Sequence, residues 1–150
     1  MKRAIDLSRS NMERGAGGPF GAVIVKDGKV IGEGWNKVTS NNDPTAHAEV
    51  EAIREACKNL GSFDLSGAEI YTSCEPCPMC LAAVYWAHIS KIFFANTKKD
   101  AAKIQFDDDF IYQEIPKPIA ARKIPMEQMM HDEALKVFQS WYKKSVNVHY

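Results

Sequence analysis

Apolar residues recur along the chain in two rhythms. From Met1 to Arg14, Ala4, Ile5, Leu7 and Met12 roughly follow a helical stripe, which predicts an opening helix. Gly15, Gly17, Gly18 and Pro19 end it. Phe20 to Val25 and Lys29 to Gly34 are short strand-like runs, and the Asp27-Gly28 pair between them is a strong hairpin signal. Asn36 to Pro44 is polar and turn-rich and reads as a loop. Ala46 to Leu60 returns to helical spacing, with Ala46, Val50, Ile53 and Cys57 on one face. A strand over Glu69 to Ser73 follows, then a helix over Pro78 to Ala87, a strand over Lys91 to Ala95 and a short helix over Thr97 to Lys103. Gln105 to Pro118 is irregular and carries the run Asp107-Asp108-Asp109. Arg122 to Met129 predicts a last strand. His131 to Ser145, with Ala134, Leu135, Phe138 and Trp141, predicts a terminal amphipathic helix.

Strands alternating with helices imply an α/β domain: a three-layer α/β/α sandwich around a mixed sheet, five-stranded by these assignments. No internal repeat, low-complexity segment or linker interrupts it, so residues 1–150 are expected to form one domain.

Composition narrows the function. A chain of 150 residues with 45% hydrophobic content can build a core without staples. Nineteen basic residues balance nineteen acidic ones, where a nucleic-acid protein usually carries a basic excess. The opening M-K-R-A-I-D-L-S-R-S lacks the apolar run of a signal peptide, and no stretch is apolar for long enough to span a membrane. A cytoplasmic location is expected, where thiols stay reduced and clustered cysteines point to metal or catalysis.

Three of the four cysteines lie in C-E-P-C-P-M-C, at positions 74, 77 and 80. An iron–sulfur run would need a fourth thiolate soon afterwards, and none follows Cys80. Cys77 and Cys80 lie one helical turn apart if Pro78 opens the helix, so both can reach one ion. Thiolates there also gain from the positive end of the helix dipole. His47 supplies a nitrogen ligand, and Glu49 follows at a spacing that lets it face the ion without binding it. Three protein ligands with an open fourth position describe a catalytic zinc site, whereas a structural site is closed by four. A neighbouring carboxylate can then move the proton of the activated water. H-x-E followed by P-C-x-x-C is the signature of zinc-dependent nucleobase deaminases. It occurs here as His47-Ala48-Glu49 and Pro76-Cys77-Pro78-Met79-Cys80. Cys74 reads as a packed thiol without a ligand role.

Beyond that signature the chain resembles the bacterial-type guanine deaminases of the cytidine deaminase superfamily, along essentially its whole length. The resemblance is carried by G-G-P-F-G-A-V-I-V-K-D-G, N-D-P-T-A-H-A-E-V, Y-T-S-C-E-P-C-P-M-C, F-D-D-D-F-I-Y and the terminal tyrosine. It implies a cytidine-deaminase-like fold and one zinc per subunit on His47, Cys77 and Cys80, with Glu49 as proton shuttle. It implies that Asn36 hydrogen-bonds the purine and that Asp108 recognises the guanine edge. Phe20 and Trp86 would wall the base pocket, and Tyr150 would close it. It also implies a homodimer that exchanges C-terminal segments, about residues 131–150. The reaction would be hydrolysis of guanine to xanthine and ammonia.

The residues alone leave several points open. A carboxylate is an acceptor only and matches guanine's adjacent N1–H and 2-amino donors, but local pattern does not say which of Asp107, Asp108 and Asp109 turns inward. Asn36 suits a turn equally well, and Phe20 and Trp86 suit a core. Guanosine deaminase is the nearest alternative, with cytosine deaminase and tRNA adenosine deaminase behind it. The last of these would favour a basic terminal helix, whereas Lys136, Lys143 and Lys144 here stand against Asp132 and Glu133.

Overall fold

A computed structural model describes residues 1–144 of the chain. Two compact units divide it, Met1–Asp109 and a second from Phe110 onwards.

In the first unit, helix α1 (Lys2–Glu13) leads into strands β1 (Gly21–Lys26) and β2 (Lys29–Trp35). Asp27 and Gly28 join them with φ of 51° and 74°, the double left-handed turn that suits a two-residue hairpin. The loop expected after β2 contains a single helical turn, α2 (Val38–Asn41). Then come α3 (Ala48–Leu60), β3 (Glu69–Cys74), α4 (Pro78–Trp86), β4 (Lys91–Asn96) and α5 (Lys98–Lys103). The strand order is β2-β1-β3-β4. β1 runs antiparallel to β2 and β3, and β3 runs parallel to β4, so the sheet is mixed as expected.

Alternation along the strands separates two packed faces. Ala22, Ile24 and Ile70 face α3 and α4, where Ala48, Ala52, Ala56 and Val84 complete the larger core. Val23, with Val25 and Trp35, faces Ala4 and Leu7 of α1. Helices therefore cover both sides. The buried stripe of α3 differs from the one expected. Ala48, Ala52 and Ala56 are fully buried, while Ile53 and Cys57 are only partly covered. The reason is backbone proximity. A Cβ at Gly34 of β2 would lie 2.1 Å from the Ala48 carbonyl oxygen, so only glycine opposite alanine lets the helix approach so closely. That approach seats the start of α3 against the sheet.

The second unit contains α6 (Asp109–Glu114, which begins at the boundary), a 3-10 turn (Ile119–Ala121) and α7 (His131–Tyr142). Part of the segment expected to be irregular is thus helical. The fifth strand expected over Arg122 to Met129 is absent, and the sheet has four strands among the described residues. Local polar bonds replace the ladder there. The Lys123 amide donates to Glu114 Oε2 at 2.7 Å, and the Arg122 guanidinium donates to the Ile115 carbonyl at 2.9 Å. Pro125 has no N–H to offer a neighbouring strand. No helix among the described residues is long and apolar enough to cross a membrane.

Candidate metal centre and active site

Two helix starts bring the metal-type ligands together. His47 is the N-cap of α3, with extended backbone at φ −73° and ψ 156°. Cys77 is the N-cap of α4, with Pro78 opening the helix behind it. A residue in that conformation projects its side chain ahead of the helix, and Cys80, one turn further on, comes round to the same side. The His47 Nδ1 lies 3.6 Å from Cys77 Sγ and 3.5 Å from Cys80 Sγ. All three ligand atoms lie within 4.8 Å of one another.

This triangle fits zinc. Zn–S bonds near 2.3 Å and Zn–N bonds of 2.0–2.1 Å at tetrahedral angles set S···N edges of about 3.6 Å. One imidazole and two thiols are a zinc-type donor set. The group comprises these three residues, with no fourth ligand among the described residues.

Electrostatics around the triangle agree with that use. The Cys80 thiol donates to Cys77, which holds the Cys77 thiol down at about 4 against its burial; the His47 ring assists. Cys80, as the donor, is pushed up. The same Cys77 sulfur raises the pKa of His47. Two sulfurs and a ring thus share protons that a divalent cation would displace. Cys74 stays outside the group. Its thiol is buried, points at the Thr97 carbonyl at 3.6 Å, and is raised to about 11 by that burial.

Glu49 sits within the first turn of α3 and is 6% exposed. Burial pushes its carboxyl above the ordinary carboxylate range, and the Cys77 charge pushes the same way. Its Oε1 accepts from the hydroxyl of Thr72 at 3.2 Å. Thr72 did not stand out in the sequence. The only signal was its place in the alternation Ile70, Thr72, Cys74, which turns a hydroxyl toward the core.

The substrate-type residues are placed unevenly. Asn36 follows β2 and is buried. Its Oδ1 accepts from the Gly18 and Val38 amides, each at 3.2 Å, so the carboxamide oxygen is held. A Cβ at Gly17 would lie 1.9 Å from the Asn36 carbonyl oxygen, so the preceding loop can close over Asn36 only with glycine there. Phe20 packs against the main core and meets Phe106 edge-on. Trp86 ends α4 and is 63% exposed. Tyr150 lies outside the described residues.

The three aspartates diverge. Asp107 Oδ1 accepts from the Asp109 amide at 3.0 Å, and Asp109 pairs with Lys98 at 3.4 Å. Asp108 couples to the cluster. Burial and then the Cys77 charge raise its pKa, and its own charge raises those of His47 and Cys74.

The family model for the cytidine and deoxycytidylate deaminase zinc-binding region matches residues 1–96. The chain is 57% identical over 141 residues to guanine deaminase of Bacillus subtilis (strain 168), covering 94% of this chain and 90% of that one. It is 34% identical over 148 residues to tRNA-specific adenosine deaminase of Aquifex aeolicus (strain VF5), covering 98% and 94%. The X-ray structure of guanine deaminase from Bacillus subtilis superposes with a TM-score of 0.96 at 54% identity, covering 99% of this chain and 95% of that one.

Proposed function

This chain belongs to the cytidine and deoxycytidylate deaminase family, and we propose that it is a zinc-dependent guanine deaminase: guanine and water go to xanthine and ammonia. The activity named for its 57%-identical relative is one support. The observation that carries the reading is the His47–Cys77–Cys80 triangle with Glu49 buried beside it and Asp108 coupled to it.

His47, Cys77 and Cys80 would hold the zinc, which when bound would lower the pKa of a water toward roughly 7. Glu49 takes a proton from the attacking water as the water oxygen bonds to C2 of guanine. It returns the proton to the ring nitrogen, accepts the second, and gives it to the departing amine as the C2–N bond breaks. A carboxyl raised by burial can hold each proton between transfers. Asp108 accepts from the N1–H and 2-amino edge. Adenine presents a lone pair there and would leave that acceptor unpaired, which sites built for a polar partner reject strongly. Asn36 donates its NH2 to the purine from a side chain already held by two amides. Phe20 and Trp86 wall the base.

The chain acts as a homodimer in the cytoplasm, as one deaminase domain over 1–150 with about residues 131–150 exchanged between subunits and Tyr150 closing the partner's site. Three exposed surfaces support exchange. β4 is an edge strand with no buried residue. Val137 and Phe138 of α7 are 66% and 73% exposed. Phe110, Ile111, Ile115, Ile124 and Met126 line an apolar hollow of about 430 Å³. Uncovered apolar area of this kind marks an interaction site.

One assay tests the reading. Zinc-loaded protein is given guanine, guanosine, cytosine, adenine and a tRNA, and ammonia is measured. Release from guanine alone or foremost is expected. Faster release from guanosine would move the substrate to the nucleoside, and release from the tRNA alone would overturn the purine-base reading.

A further inference from the structure

The reaction above gives no role to the buried hydroxyl of Thr72. Thr72 lies on β3, opposite Ala22 of β1 and Phe94 of β4. It is 1% exposed, at the centre of the sheet. Its Oγ1 stands 3.2 Å from Glu49 Oε1 and 2.9 Å from the Cys74 carbonyl oxygen. A hydroxyl has one hydrogen to give, and both neighbours are oxygens. The hydrogen is therefore shared between the carboxyl of the shuttle and the backbone three residues ahead of Cys77. No strand side chain is needed there for bulk alone: valine has the same shape and would avoid the cost of a buried hydroxyl.

We propose that Thr72 is the positioning residue for the proton shuttle. It ties Glu49 Oε1 to the central strand while the carboxyl carries protons between water and substrate. This rests on the deaminase reading given above. Oε1 can accept from Thr72 whether or not Oε2 is protonated, so the tie persists through both transfers. The Cys74 carbonyl shares the same hydrogen and keeps the hydroxyl from turning away. Holding a catalytic group to within about 10–20° is the task of such supporting bonds. The tie also spans elements: Glu49 rides on α3, while Thr72 sits on the strand that leads through Cys74 to Cys77. It fixes the shuttle relative to the metal ligands of α4.

The test compares Thr72→Val and Thr72→Ser with the wild-type zinc enzyme on guanine. Zinc stoichiometry, thermal unfolding, kcat and KM are measured for each. Thr72→Val is expected to keep its zinc, its fold and its KM while kcat falls roughly 10- to 100-fold, the range for supporting bonds around a metal site. Thr72→Ser should restore most of that kcat, because it keeps the hydroxyl and loses only a methyl. A purely structural role would move the unfolding temperature and leave kcat of the folded fraction intact. Thr72→Val with wild-type kcat overturns the proposal, and so does Thr72→Ser as slow as Thr72→Val. If Thr72→Val does not fold, Thr72→Ala takes its place: a loss confined to alanine supports the tie, and equal kcat in alanine and serine overturns it. A wild-type enzyme inactive on guanine would instead overturn the substrate reading, which this comparison keeps separate.

Discussion

The ring of Phe106 meets the ring of Phe20 edge-on, with centroids 4.9 Å apart and planes at 86°. The contact links the segment after α5 to the start of β1. Gln105, at φ 70°, turns the chain out of α5, and the Phe106 amide closes that turn on the Ala101 carbonyl at 3.1 Å. Asp108 follows two residues later. Phe106→Ala should therefore raise KM for guanine more than it lowers kcat, since Asp108 loses its anchor while the metal ligands keep theirs. Stability should fall by about 1 kcal/mol from the lost ring pair. Steady-state kinetics with thermal unfolding checks both, and an unchanged KM would separate Phe106 from the recognition segment.

Glu49→Gln should keep zinc and fold yet lose turnover by about 10²–10⁴-fold, the usual contribution of a positioned acid–base group. Glutamine is nearly isosteric and removes a buried charge, so the unfolding temperature should hold or rise. Metal analysis and ammonia release decide it; a zinc-loaded glutamine variant with wild-type turnover would remove Glu49 from the reaction.

Asp108→Asn should raise KM for guanine roughly ten- to a hundredfold, since a hydrogen bond to a charged group is worth about 1.5–3 kcal/mol. Asp107→Asn should leave KM near wild type, because Asp107 is spent on the Asp109 amide. A reversed pattern in the two variants would shift recognition by one residue.

Zinc affinity should fall as pH falls. The Cys77 sulfur raises the metal-free His47 pKa, and donation to Cys77 raises that of Cys80, so each holds a proton to a higher pH than usual. For His47 the sign is that of a raised group. Its proton stabilises the metal-free fold below the ordinary histidine range, and that contribution fades as pH rises through the raised value. Zinc must expel the proton, so lowering pH through the same window opposes the metal. Competition with a chromophoric chelator between pH 8 and 6 should show about a tenfold loss per pH unit for each proton released. A flat profile would exclude these ligands.

Deleting Tyr150 should lower guanine turnover while leaving zinc content and unfolding temperature unchanged, as a lid residue requires. Sedimentation should show a dimer in both forms. Full activity in the truncated chain would remove the lid, and a monomeric active wild type would remove the exchange.

Much of the site was legible locally. His47 and Cys77 are N-cap residues, and Pro78 marks the second helix start, so the ligand spacing follows from chain geometry that a linear pattern records. The hairpin was legible in the same way, because Asp27-Gly28 specifies a backbone turn by itself. The fifth strand was misread because the apolar pattern of Arg122 to Met129 is not tested until a partner strand accepts its amides. Here a glutamate side chain takes one first.

What the sequence alone determined was chemistry carried by neighbours in the chain: two thiols one turn apart, an imidazole two residues before a carboxylate, and helices to present them. The tertiary structure decided everything that needed distance across the fold. It brought His47 to within 3.6 Å of Cys77, thirty residues away. It brought Asp108 within electrostatic reach of the cluster, and put the Thr72 hydroxyl against Glu49. Local pattern encodes backbone direction over a turn or two, whereas burial and charge coupling depend on which surfaces meet when the sheet and its helices pack.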